Sequence, residues 1–380
     1  MPKQILIISV IMMPLALSAC SSSNSDKAGI NIESIKHLKD KILQIITPEP
    51  EDAIENESQA PTEPVKQLRP NISQQFIGDT PSQLRLAKAL PELPYETTNL
   101  PEKAQQVNQA VWTADAPLDE NVILKIQALL NYNHHSVGAI DGRLGKNAIK
   151  AIQVFQEKQG LEVTGKIDDA TWKLLTADST ISAQPVLVNY TLTDDDVTLI
   201  NNPKGQQFKS VLEAMGEKFH MSKALLLKLN PNTKFEAGNK IVVYNPYQPN
   251  EIPVHRVVAV KSKNLLYAYD ENNELVASYP TTMGSSYKPS PNGQYKVVSR
   301  IIDPTYNKDF KNHKSVLPPG PNNPVGRVWL GLSKRSYGIH GSPEPERISR
   351  QNSSGCVRLT NWDALGLYGT IEDGAKVEFL

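Results

Sequence analysis

Tyr337-Gly338-Ile339-His340-Gly341 is followed, with fifteen residues between His340 and the thiol, by Cys356 within Asn352-Ser353-Ser354-Gly355-Cys356-Val357-Arg358-Leu359. A thiol attacks only as thiolate, and an ordinary thiol at ~8.5 supplies little of it at neutral pH. A nearby imidazole can take the proton, provided a third group orients it. Backbone N–H groups commonly stabilise the oxyanion that forms. A glycine before the nucleophile lets the chain bend sharply. Arg358, two residues on, falls on the same strand face and offers a fork suited to a carboxylate. Alone, a single Cys and one of seven His are a weak signal, and a lone Cys is often just a small buried apolar residue.

The surroundings read as β-structure. Val257 to Val260, Leu265 to Tyr269, Leu275 to Tyr279 and Tyr295 to Val298 are short β-prone runs. Turn residues separate them, as at Glu271-Asn272-Asn273 and Pro291-Asn292-Gly293. A mainly-β domain over 252–380 is expected.

The linked pattern, His340-Gly341 and then Ser353-Ser354-Gly355-Cys356-Val357-Arg358, closely resembles the catalytic domain of the L,D-transpeptidase (YkuD-like) family. Pro304-Thr305-Tyr306, the Pro318 to Pro324 segment and Thr360-Asn361-Trp362-Asp363-Ala364 agree with it. The resemblance implies a Cys356 nucleophile, a His340 base and the Gly341 carbonyl as its orienter. It implies Gly355 and Cys356 N–H groups as oxyanion donors, and substrate contacts from Tyr337, Ser353, Ser354, Gly355 and Arg358. The implied reaction is two acyl transfers on peptidoglycan tetrapeptide stems. D-alanine leaves, a thioester forms, and an amine of another stem makes a 3–3 cross-link. No cofactor or metal is implied. Ser354 departs from the His that many members carry before the Gly. Three alternatives share this sequence: an L,D-carboxypeptidase or endopeptidase, a protein-to-peptidoglycan ligase, or a non-catalytic wall-binding lipoprotein.

Upstream, Val186 to Tyr190, two short helices over 209–221 and 223–229, and the strand Lys240 to Tyr244 predict a βααβ unit over 185–248. It looks like a LysM module, which binds N-acetylglucosamine-containing glycans. A spacer packed on its neighbour is the competing reading. Before it, Ile123, Ile126, Gln127 and Leu130 repeat at helical spacing. Asn147 is expected to cap a second helix and Asp168 a third. This three-helix unit, 106–180, resembles the peptidoglycan-binding domain family. The resemblance rests on Ile126-Gln127, Asp141 to Gly145, Ala151-Ile152, Phe155-Gln156 and Gly160 to Thr171. His134-His135 are expected on a solvated loop, without a metal.

The Pro-rich, acidic stretch over 20–105 reads as an extended linker. Ile5 to Leu17 is apolar and too short to span a membrane, and Leu17-Ser18-Ala19-Cys20 follows. That ending resembles a lipoprotein signal over 1–19 with lipidation at Cys20, and Ser21 points to the outer membrane. Lysine and arginine balance aspartate and glutamate at formal net charge +0, which argues against nucleic-acid partners. The expected whole is a multidomain envelope protein facing the periplasm: a three-helix α domain, a βααβ domain and a C-terminal mainly-β catalytic domain. Its expected partners are peptidoglycan and, through the lipid anchor, a membrane.

Overall fold

A computed structural model describes residues 95–201, 206–307 and 315–380. The expected signal, Cys20 and most of the linker lie outside the described residues. Among the described residues no helix is long and apolar enough to cross a membrane.

The first helices are α1 (Glu102–Asn108), α2 (Glu120–Tyr132), α3 (Lys146–Lys158), α4 (Asp169–Leu175) and α5 (Ser179–Ser182). Asp119 and Asp168 cap α2 and α4, accepting the N–H of Val122 and Thr171 at 2.9 and 2.8 Å. Asn147 does not cap α3. The cap is Gly145, and Asn147 lies in the first turn, its Nδ2 donating across to the Ile348 carbonyl at 3.4 Å. Two buried glutamines explain much of the motif read above. Gln127 Oε1 accepts from Gly142 N at 3.0 Å while its Nε2 donates to Asp141 Oδ1 at 2.9 Å. Gln156 does the same for the later turn, accepting from Gly165 N and donating to the Lys166 carbonyl, both at 2.8 Å. Each amide satisfies backbone groups of an adjoining turn that burial would otherwise orphan.

The second unit comprises β1 (Leu187–Thr191), α6 (Asp194–Asn201), α7 (Val211–Lys218), α8 (Lys223–Leu229) and β2 (Lys240–Tyr244). β1 and β2 pair antiparallel from Leu187↔Tyr244 to Thr191↔Lys240. An unexpected helix, α6, lies between β1 and α7, so the order is strand, three helices, strand rather than βααβ. The expected linker also ends too late: Glu96 bridges Asn189, and Leu100, Ala104 and Val107 are buried. These residues belong to the fold because their apolar face covers β1. The two small units share one hydrophobic core, which runs from Leu124 and Phe155 through Val188 to Leu226 and Val243. Tyr132 stacks on Tyr244 with centroids 6.0 Å apart and donates its hydroxyl to the Asn245 carbonyl at 2.8 Å. Units this small bury too little surface singly, and pooling their cores compensates.

The C-terminal part carries β3 (Val254–Val260), β4 (Leu265–Tyr269), β5 (Leu275–Pro280), β6 (Gly293–Ile302), β7 (Tyr306–Asn307), β8 (Val316–Leu317), β9 (Val328–Leu332), β10 (Gly338–His340), β11 (Val357–Arg358), α9 (Asn361–Thr370) and β12 (Ile371–Phe379). Eight strands form one sheet in the order β11-β10-β9-β6-β12-β3-β4-β5. The chain leaving β5 turns back onto the opposite edge: Thr282 bridges Arg358 and Gly284 bridges Ser353. The sheet therefore curls until its two edges meet at the segment that carries Cys356. The outer side of β5 is covered by the helical unit. Ser136 N donates to the Ser278 carbonyl and Ser278 N to the His134 carbonyl, at 2.9 and 3.0 Å. This is where the expectation of a solvated His134-His135 loop fails. His135 is fully buried, its Nδ1 is 3.0 Å from Ser278 Oγ, and burial pushes its imidazole down to about 3. Val154 of α3 packs with Val258, Leu265 and Tyr267 at the same seam, and burying one such valine contributes about 1.5–3 kcal/mol.

Candidate active site

The sheet brings His340 and Cys356 together because β10 and β11 are neighbours and parallel, with Ile339↔Val357 and His340↔Arg358 in register. Cys356, one residue before β11, falls level with Gly338. Strand alternation then places the side chains of His340, Cys356 and Arg358 on one face. The turn into β11 is braced from within. Ser353 Oγ donates to the Cys356 carbonyl at 2.5 Å and accepts the Gly355 N–H at 3.1 Å. Gly355 has φ +110, and a Cβ there would meet Tyr337 Cε1 at 2.8 Å and the Pro289 carbonyl at 3.2 Å. Only glycine fits this bend closely against the Tyr337 ring.

His340 is 3 % exposed. Its Nδ1 lies 2.7 Å from the Gly341 carbonyl. A carbonyl only accepts, so Nδ1 carries the proton and Nε2 holds the lone pair. The ring stacks on Trp329, its register partner on β9, with centroids 5.7 Å apart. Burial pushes the imidazole down to about 4, and the Arg358 guanidinium adds to that; the Gly341 and Val325 carbonyls act the other way. Cys356 Sγ points to the Ser336 carbonyl at 3.8 Å. Burial pushes its thiol above the ordinary value, opposed by a backbone hydrogen bond at Gly338 and by Arg358. Both shifts favour the neutral pair, imidazole and thiol, at neutral pH. Proton transfer therefore accompanies attack rather than preceding it as a standing ion pair. Arg358 Nε is buried and has no hydrogen-bond partner among the described residues. An orphan guanidinium N–H of this kind is costly unless a ligand answers it.

The register sets His340 beside Arg358, two residues past Cys356, and two of the expected residues are engaged differently from the expectation. The Gly355 N–H is engaged by Ser353, whereas the Cys356 N–H has no protein partner among the described residues. Ser353 is buried and holds the turn, while Ser354 is exposed. Sequence reasoning passed over Trp329, Ser336 and the bracket behind His340. Asn361, the first residue of α9, accepts the Arg327 N–H at 3.1 Å and donates to the Pro321 carbonyl at 3.1 Å and to Glu217 Oε1 of α7 at 3.0 Å. Its Oδ1 sits 2.3 Å from where a Gly341 Cβ would be, so the loop that orients the imidazole lies flat against this amide. Asn361 was visible in the motif, but Glu217 could not be, since nothing local links it to the catalytic domain. Among the described residues no group of His, Cys, Asp and Glu could hold a metal ion.

A family profile described as the L,D-transpeptidase catalytic domain matches residues 254–379, and one described as a peptidoglycan binding domain matches 119–175. The chain is 30% identical over 168 residues to a Bacillus subtilis (strain 168) protein named as the L,D-transpeptidase YkuD, spanning 44% of this chain and 91% of that one. It is 29% identical over 213 residues to an Escherichia coli (strain K12) protein named as the L,D-transpeptidase YbiS, spanning 51% of this chain and 69% of that one. A crystal structure of an L,D-transpeptidase from Xylanimonas cellulosilytica overlays at a TM-score of 0.33 with 15% identity, covering 68% of this chain and 92% of that one. The chain belongs to the L,D-transpeptidase family.

Proposed function

We propose that this chain is an L,D-transpeptidase of the cell envelope, which cuts peptidoglycan tetrapeptide stems and rejoins them through a thioester on Cys356. The observation that carries the reading is the single face shared by a lone-pair-bearing His340 Nε2, the Cys356 thiol and the orphan Arg358 Nε. His340 Nε2 takes the thiol proton as sulfur attacks the carbonyl of the L-centre of the third residue. The Cys356 N–H receives the oxyanion. His340, now protonated, gives its proton to the departing D-alanine amine, and the carbonyl stays on sulfur as a thioester. An amine of a second stem then attacks, loses its proton to His340 and releases the thiolate. Arg358 binds a stem carboxylate, and Tyr337 walls the cleft beside Gly355. The helical unit holds the wall polymer. The strand–helix–strand unit serves as a LysM-like glycan module, and lipidation at Cys20 anchors the chain to the outer membrane with its enzyme facing the periplasm.

The test is incubation of the protein with disaccharide-tetrapeptide muropeptides, read by intact-protein and product masses, with Cys356→Ala as control. A Cys356-dependent acyl adduct, loss of D-alanine and a tetrapeptide–tripeptide dimer are expected. Tripeptide without dimer reassigns the acceptor to water or to a protein amine. A folded protein with neither adduct nor turnover refutes the enzymatic reading.

A further inference from the structure

Three distant parts of the chain close around a polar groove of about 810 Å³, well within the size of ligand clefts. The turn before α3 supplies Arg143, the first residue of α3 is Lys146, α8 supplies Lys228, and the segment leading to the nucleophile supplies Arg350 and Asn352. These walls are fastened to one another. Lys228 Nζ donates to Glu120 Oε1 at 2.6 Å, Glu346 Oε1 accepts the Lys223 N–H at 3.0 Å, and Lys150 Nζ donates to Ser349 Oγ at 3.3 Å. The groove is therefore built into the joined units rather than a gap between loose ones.

The charges lining it are unevenly answered. Glu120 is held by Lys103 and Lys228, Asp141 by Gln127 and the Arg143 N–H, and Glu346 by the Lys223 N–H. Arg143, Lys146 and Arg350 are exposed, and among the described residues none has an ion-pair partner. The lining sets Arg143, Lys146, Lys228 and Arg350 against Glu120, Asp141 and Glu346, a surplus of one positive charge, and because the three acids already hold their donors, the unengaged groups are the cationic N–H donors of Arg143, Lys146 and Arg350, which recognise carboxylates. Asn352 lies four residues before Cys356, so an occupant would sit beside the chain that delivers the thiol.

We propose that this groove is a second peptide subsite, which binds the free carboxylates of a peptidoglycan stem other than the one acylating Cys356. This rests on the peptidoglycan reading of the chain. The occupant is an acidic peptide on an amino-sugar backbone, and the neutral sugar alone does not suffice.

Calorimetric titration of the full chain carrying Cys356→Ala tests it. The probes are disaccharide-tetrapeptide with free carboxylates, the same compound with its carboxylates amidated, and neutral chitotetraose. At least two binding events per chain are expected for the first, one of them dependent on its free carboxylates. Arg350→Glu or the pair Arg143→Glu and Lys146→Glu should weaken one event by about tenfold, and amidation should do the same. Melting curves verify that the variants fold. A single event, or affinities indifferent to charge reversal and amidation, overturns the subsite. Tight chitotetraose binding that displaces the muropeptide reassigns the groove to glycan. Acylation of the wild-type chain by the same muropeptide is scored separately. Acylation with charge-indifferent binding overturns the groove alone, and charge-dependent binding without acylation overturns the activity alone.

Discussion

Replacing Glu217 with Gln should remove a loss of stability on the alkaline side. Glu217 stands on α7 yet gives its carboxyl to Asn361 of the catalytic part at 3.0 Å. Burial pushes it from 4.5 up to about 8, against the Asn361 hydrogen bond and the Arg327 charge. The folded protein thus keeps a proton that the unfolded chain releases, so stability falls as pH rises from about 4.5 to about 8. At ~1.4 kcal/mol per unit, this interval has a ceiling of ~5 kcal/mol. Glu217 lines a cavity of about 420 Å³, which can admit water and relieve part of the burial. Roughly half the ceiling, ~2–3 kcal/mol, is expected. Gln keeps an oxygen for Asn361 and does not titrate. At pH 5 the variant should match the wild type within ~1 kcal/mol, and at pH 8.5 it should be more stable by ~2–3 kcal/mol, or about 4–8 °C in Tm. Scanning calorimetry between pH 5 and 9 measures this. Parallel curves for the two proteins, or a variant that is weaker at pH 8.5, would refute the buried-acid argument.

The neutral imidazole of His340 predicts an acid limb for single-turnover acylation near pH 4, where protonation removes the base; a limb near 6.5, read by adduct mass against pH, contradicts it. The raised Cys356 thiol predicts slow iodoacetamide alkylation at pH 7 that climbs past pH 9, and fast alkylation at neutral pH would mean a standing thiolate. Gly355→Ala forces a side chain into a φ of +110 against Tyr337, so acylation should fall at least about tenfold with ~1–3 kcal/mol of strain; wild-type rates would show that the bend is not needed. His135, buried neutral, binds a proton on unfolding below 6.5, so it lowers stability as pH falls. His135→Gln should remove ~3 kcal/mol of the loss between pH 7 and 4, whatever it does to the plateau, as urea midpoints at both pH values will tell.

The candidate site residues could be named from sequence because they sit in short local patterns. Gly355 before Cys356 and Gly341 after His340 mark a bend and a close approach that few sequences require. The first β-strands were legible as β-prone runs between turns, and the cap at Asp168 from residue type. β10 and β11 were not, since strands of three and two residues carry no period. Their identity comes from pairing with β9 and with the chain after β5. α6 escaped because Asp194 to Asp196 carry no apolar period, although acids suit a helix start. His135 looked like surface because a His-His pair is polar, and only the partner strand makes burial tolerable. Gly355 as an oxyanion donor failed for a similar reason. Whether an N–H is free depends on a serine two residues away, and composition does not reveal that.

The covering of β5 by residues 134–136 has a practical and a historical side. A fragment cut at residue 252 would keep His340, Cys356 and Arg358, yet it would bare a line of amide and carbonyl groups and the apolar skin of Val258, Leu265 and Tyr267. Such a border invites copies of the fragment to zip together and come out of solution. The peptidoglycan-binding unit thus serves as the enzyme's own selvedge. Lineages that shuffle or discard that unit must weave another one, and the substitutions should appear first at positions 258, 265, 267 and 278, far from the thiol.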